Sequence, residues 1–419
     1  MMRTRAVLVL TVLVFLLSGC TGAALQERFL RLRATPAPSY EDVAPRVVAQ
    51  LRDFDTAVAR LRELYRNPAA LDAAWERKVA EARLAIARSD GGSLQPLVDS
   101  LSAILEALGD EEVRLMPPAL LQGTMPRYGG IGVLVDLPRP GKDRILVLSV
   151  HPGSPAERAG IQPHDAIIAV EGEPVTFEQR DEVIQRLRGN PGTRVAITVR
   201  RPGQATREVQ LTRELIEMTD ATVYRRIANT DVAYLLPAPS QPRRADEELA
   251  AALRALNADV PLGGLILDLR VARGDDLPLE AMLRLFANGQ VGWVKRRETL
   301  EPLEVQGIAV AGSQELPLVI LVSELTSGPA VVFAGLLQAL GRAYVVGTPT
   351  EAPMPYVEEI TLPASKIRLS IPAGEYLDFY RRGWREGVLP NPRSDQAWES
   401  FTPDNDPHLR LALELLGVR

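Results

Sequence analysis

Residues 321–338 read LVSELTSGPAVVFAGLLQ. The stretch has the pattern of a buried strand, a tight turn and an apolar helix. That arrangement presents a turn residue at a helix N-terminus, where free N–H groups and the helix dipole suit a nucleophile or an anion. The centre of the turn is Gly328-Pro329, and neither residue has a side chain that can attack or accept a proton. Proline does fit the first turn of a helix, where its missing N–H has no partner in any case.

The pattern continues on both sides. DVAYLLP (231–237), LGGLILDLR (262–270), LPLVILV (316–322) and AYVVG (343–347) read as buried strands. Helical stretches near 244–257, 278–288 and 329–341 separate them. Such alternation predicts a sheet covered by helices, the α/β class. Further upstream, Val47, Leu51, Phe54, Val58, Leu61 and Tyr65 recur at spacings of three and four, one face of a helix that Asn67-Pro68 ends. Two more helices are predicted over 70–88 and 93–108.

The chain has 419 residues, of which 46% are hydrophobic and 24% charged, enough to bury a sizeable core. A net charge of −5 gives no electrostatic case for nucleic acid as a partner. His151, His164 and His408 are far apart, no His or Cys cluster has metal-ligand spacing, and nothing points to a cofactor.

The first residues, MMRTR, are basic, and the apolar run AVLVLTVLVFLL spans 12 residues. As a helix it would rise about 18 Å, too short for the roughly 30 Å core of a bilayer. The pattern is that of a secretory signal. LSGC at its end resembles the bacterial lipoprotein processing box, which implies cleavage before Cys20 and acylation of that thiol. The alternative is an ordinary signal peptide with an accidental cysteine at its end.

YGGIGVLVDL (128–137) followed by ILVLSVHPGSPAERAGIQPHDAIIAVEGEPV (145–175) resembles a PDZ domain of the bacterial type. In such a domain a peptide adds as an extra strand to a sheet edge, and backbone amides capture its terminal carboxylate. On that resemblance the loop of Gly129, Gly130 and Gly132 supplies converging amides. Ile131 points into the pocket for the last side chain, and Val183 or Ile184 on the following helix forms the other wall.

The order of these pieces resembles the carboxy-terminal processing peptidases, or tail-specific proteases, which cut secreted proteins after the PDZ domain engages a C-terminal tail. The resemblance implies a lipoprotein signal over 1–19, a tether over 20–40, a helical region over 41–120, a PDZ domain over 128–215 and an α/β domain of the ClpP/crotonase-like kind over 216–419. The family's turn reads Ser-Ala-Ser-Ala-Ser-Glu, with the middle serine as nucleophile. Here the six positions are Thr326, Ser327, Gly328, Pro329, Ala330 and Val331. Pro353 stands where the family has its lysine base, Val357 where it has an orienting glutamine, and Asp275 at the second glycine of the oxyanion loop.

A serine needs a base within hydrogen-bond reach, and a carboxylate opposes a developing oxyanion. The expectation is therefore a membrane-anchored, extracytoplasmic protein of the cell envelope that binds protein C-termini or a partner protein and has no catalytic residue. Two alternatives stay open. One is an active endopeptidase whose nucleophile has moved to Ser327 or Thr326, with Lys366 on a later strand as base. The other is a structural subunit of an envelope complex. If Thr326 and Ser327 are not catalytic, they are expected to cap the helix.

Overall fold

The computed structural model describes residues 44–117, 128–216, 222–239, 242–274, 276–384 and 386–418. Cys20 and Asp275 lie outside these residues. Contacts divide the chain into two compact units.

The first unit holds the described residues before 64, residues 67–117 and the distant segment 360–369. Helix α1 (Pro45–Leu64) buries Val47, Leu51, Phe54, Val58 and Leu61 along one face. In α2 (Ala73–Ala87), the Asp72 side chain accepts the N–H groups of Ala74 and Trp75 at 2.8 and 2.9 Å, which starts the helix. Helix α3 (Gln95–Glu106) joins it where Trp75 Nε1 donates to the Ile104 carbonyl at 3.0 Å. Strand β1 (Arg114–Met116) follows. The segment 360–369 is tied in by Asp53, which is fully buried and accepts the N–H groups of Ala364 and Ser365 at 3.1 and 2.6 Å. Lys366 sits in this turn, exposed and at φ 61°, rather than on a strand.

The second unit begins with a small antiparallel domain. Its elements are β2 (Tyr128–Gly130), β3 (Val133–Asp136), β4 (Ile145–Val150), α4 (Pro155–Arg158), β5 (Ala166–Val170), β6 (Glu173–Pro174), α5 (Arg180–Leu187), β7 (Arg194–Arg200), β8 (Arg207–Thr212) and β9 (Glu214–Ile216). The sheet runs β3-β4-β5-β7-β8, and β2 pairs with β9. Alternation along β7 buries Val195, Ile197 and Val199 against Val183 and Leu187 of α5.

The elements that follow are β10 (Val223–Arg226), β11 (Val232–Leu236), α6 (Ala245–Leu256), β12 (Gly264–Asp268), α7 (Leu279–Phe286), β13 (Gly289–Arg296), β14 (Leu300–Val305), β15 (Leu318–Val322), α8 (Pro329–Ala339), β16 (Tyr344–Gly347), β17 (Tyr356–Thr361), β18 (Arg368–Leu377) and α9 (Pro407–Leu415), of which only the end of β17 and the start of β18 belong to the segment 360–369. The order β10-β11-β12-β15-β16 is parallel from β11 onward. Strand alternation gives the sheet two apolar faces. Leu265, Leu267, Ile320 and Val345 meet Leu249, Met282 and Phe333 of α6, α7 and α8, whereas Ile266, Val319 and Val346 meet Ala412 of α9. Residues 329–337 of α8 are all buried, which accounts for an apolar character on every side of that helix. The β15–α8 turn thus lies at the C-terminal edge of a parallel sheet, the edge where α/β folds place their sites.

Candidate functional site

Gly328 is the N-cap of α8, at φ 62° and ψ −139°. This conformation borders the region open only to glycine, so the turn is built for the absence of a side chain. Thr326 is fully buried. Its hydroxyl donates to the Leu269 carbonyl at 2.8 Å and accepts the Ser323 N–H at 2.9 Å. Ser323 Oγ donates to the Arg270 carbonyl at 2.6 Å, and the half-buried Ser327 donates its N–H to the Ala272 carbonyl at 3.0 Å. These bonds fasten the turn to the loop after β12. Neither residue caps the helix, because the N-cap is Gly328 and receives no side-chain bond. The Thr326 proton is committed to a backbone carbonyl, which leaves that hydroxyl poorly placed for attack.

The loop that follows β16 carries Pro353, half-buried and without an ionisable group, and Val357 lies just beyond it on β17. Thr350 shapes this loop. Its hydroxyl donates to the Glu351 carbonyl at 2.8 Å and accepts the Val388 N–H at 2.9 Å.

The hairpin between β3 and β4 reaches both loops. Asp136 pairs with Arg273 of the post-β12 loop at 2.7 Å, and Arg139 pairs with Glu351 at 2.9 Å. Arg139 also meets Asp136 at 3.3 Å, closing a four-residue chain of charges. Arg144 pairs with Glu399 further along.

Beneath the post-β12 loop is a buried ionic network. Arg270, 3% exposed, binds Asp268 through Nη2 at 2.6 Å and Asp406 through Nη1 at 2.6 Å. Tyr234 donates to Asp268 at 2.6 Å. Burial alone would raise the Asp268 carboxyl, but Arg270 and the Tyr234 hydroxyl hold it below its ordinary range. Burial, reinforced by Asp268, pushes the Tyr234 phenol well above its own. All three groups keep their native charge states, and the network serves to fix the loop. His164 borders it, with Nδ1 2.6 Å from the Trp398 carbonyl and its ring stacked on the indole at 3.8 Å. Burial, and then the Arg270 charge, lowers its pKa to about 4, although the bond to Trp398 opposes them.

The groove residues are brought together in part. Gly130, Ile131, Gly132, Ile184, Leu187 and Arg188 line one cavity of about 70 Å³. By volume that is room for roughly five waters, or one aliphatic side chain. Val183 is turned away, 1% exposed in the domain core. Two of the glycines have a packing reason for being there. A Cβ on Gly129 would lie 1.8 Å from the Gly189 carbonyl oxygen, and one on Gly132, at φ 81°, would lie 2.2 Å from Ser154 Cβ. Sequence reading missed the Asp268–Arg270–Asp406 network and the hairpin clasps. Asp406 is 136 residues from Arg270, and no local pattern announces such a partner.

Residues 146–201 match the PDZ domain family, and residues 231–391 match peptidase family S41. The carboxyl-terminal-processing protease of Synechocystis sp. is 31% identical over 261 residues, which cover 60% of this chain and 60% of that protein. A probable CtpA-like serine protease of Staphylococcus aureus is 29% identical over 211 residues, 50% of this chain and 41% of that protein. The chain thus spans less than two thirds of the length of these relatives. Among solved structures, the photosystem II D1 C-terminal processing protease superposes with a TM-score of 0.54 at 20% identity, over 84% of this chain and 94% of that one. A lipoprotein from Streptococcus agalactiae does so at 0.50 and 11%, over 88% and 96%. A PDZ match followed by a peptidase S41 match therefore runs along the middle of the chain, and over that part the chain is similar to the carboxyl-terminal-processing proteases.

Proposed function

We propose that this chain is a non-catalytic member of its family that binds protein C-termini, or a partner bearing one, through its PDZ groove. The observation that carries the proposal is Gly328. The nucleophile's position has no hydroxyl, and its backbone conformation suits glycine. Pro353 at the base's position, and the committed proton of Thr326, point the same way. Asp275 would further oppose negative charge on a substrate oxygen. Ile131, Ile184 and Leu187 offer an apolar seat for a terminal side chain beside the glycine loop. Acylation of Cys20 would hold the protein at a membrane facing the extracytoplasmic side. The fold is compatible with such an anchor, since a Streptococcus agalactiae lipoprotein shares it.

The purified chain, freed of contaminating proteases, is expected to leave unfolded proteins with apolar tails uncut. It is expected to bind free-acid peptides ending in an aliphatic residue at about micromolar affinity. Binding should be lost in Ile184→Asp and in the amidated peptide. Turnover that disappears in Ser327→Ala would overturn the proposal and make the protein an enzyme with a shifted nucleophile. Equal binding of amide and acid would remove carboxylate capture.

A further inference from the structure

Strand β18 ends at Leu377, and the chain reverses over residues 378–382 in a turn held from within. The Asp378 carboxylate, in a residue only 2% exposed, accepts the Arg382 N–H and Nε, both at 2.8 Å. The Asp378 N–H donates to the Arg382 carbonyl at 2.8 Å, and the Arg381 N–H to the Asp378 carbonyl at 2.9 Å, with Arg381 at φ 65°. So braced, the turn holds Phe379 and Tyr380 in water, 43% and 65% exposed, with their rings 5.7 Å apart at 85°. Arg381 lies over the Trp293 ring at 4.5 Å, and Arg382 over Tyr380 at 5.1 Å. The Trp293 indole N–H donates to the Phe379 carbonyl at 3.2 Å.

Single exposed apolar residues are ordinary on a protein surface. This turn differs in having two neighbouring aromatic rings, an indole hydrogen-bonded to its backbone and two guanidinium groups over rings, on a hydrogen-bonded frame. The headgroup layer of a bilayer rewards that combination. Aromatic rings with a polar handle settle there, and arginine binds lipid phosphate through paired N–H groups. We propose that the 378–382 turn is a membrane-contact tip, in which Phe379 and Tyr380 enter the bilayer interface and Arg381 meets lipid phosphate, while Arg382 stays on Asp378. The choice of a bilayer over a protein partner rests on the proposed anchor at Cys20. Two side chains alone bind a membrane weakly, so the tip acts as a second contact that orients a chain already tethered.

The test uses the chain expressed without residues 1–19 and as Cys20→Ser, so that neither an acyl group nor the apolar run before it contributes. This protein should co-sediment with vesicles of phosphatidylethanolamine and phosphatidylglycerol. Phe379→Ser/Tyr380→Ser should weaken partitioning about tenfold, a loss of about 1.4 kcal/mol. Both side chains are exposed, so the double variant should keep the parent melting temperature. In Tyr380→Trp, brominated lipids should quench the added emission. Absence of binding by Cys20→Ser, or equal binding by the double variant, overturns the tip. Concentration-dependent self-association that the double variant abolishes, without vesicle binding, would assign the turn to a second copy of the chain instead. Mass spectrometry of the mature N-terminus tests the anchor separately, so either idea can fail without the other.

Discussion

Arg273, in the loop after β12, pairs with Asp136 of the β3–β4 hairpin at 2.7 Å, and so ties that hairpin to the loop after β12. The Asp136 side chain is 5% exposed and that of Arg273 34%, so the pair is only partly screened by water. Together with Arg139–Glu351 it joins the hairpin to the loops after β12 and β16.

Asp136→Ala should loosen that clasp. Arg273 and Arg139 both reach solvent and can rehydrate, so the stability cost should be small, about 1 kcal/mol. The sharper readout is amide hydrogen exchange over residues 137–144, which should quicken while β7 and β8 keep their protection. Unchanged exchange in the hairpin would show that the pair does not hold it.

Gly328→Ser should not awaken the enzyme. A side chain at φ 62° and ψ −139° adds strain on the order of 1–3 kcal/mol. Gly328→Ala should be destabilised by a similar amount, which separates strain from the hydroxyl. The serine variant should remain inactive because Pro353 offers no base, and the parts of a catalytic constellation act as a unit. Denaturant midpoints of the two variants, with a protease assay alongside, check both halves.

Arg270→Met should be among the most damaging single changes in the domain. It leaves Asp268 and Asp406 buried without their cation, a loss of about 3–5 kcal/mol. Replacing Asp268, Arg270 and Asp406 together by apolar residues should cost less than the single change, since no uncompensated charge then remains. Chemical denaturation of the two proteins decides it.

Acid should weaken the fold through His164. Its pKa falls from 6.5 to about 4 in the folded chain, so the unfolded chain binds the proton more tightly. Stability is whole above the unfolded value and is lost as pH falls from about 6.5 to about 4, by about 3 kcal/mol. The groups facing the ring are Arg270, Asp406 and Asp268, and protonation would set a second cation beside Arg270. His408, also lowered by burial and by Arg270, acts in the same direction. His164→Asn suits the φ of 76° at this position and should flatten the pH dependence of the denaturant midpoint. An unchanged slope would place the acid sensitivity elsewhere.

The sequence by itself determined the four parallel strands and the helices that cover them, but not the strands β10, β13, β14, β17 and β18. Alternating apolar runs and 3.6-residue periodicity mark the parallel strands and covering helices, because burial on one or two faces must be written into local spacing. The identities of Gly328 and Pro353 beside that turn also carry the proposal of a lost nucleophile, since that reading needs no tertiary information. The tertiary structure alone decided what those positions do. Whether Val183 or Ile184 faces the groove depends on how α5 rolls against its sheet. That Thr326 is a pin to Leu269 rather than a cap depends on where the loop after β12 passes. The pairing of Arg270 with Asp406, and of Arg273 with Asp136, joins residues more than 130 positions apart. Charges so distant leave no periodic trace in the chain, and only packing brings them within hydrogen-bond reach.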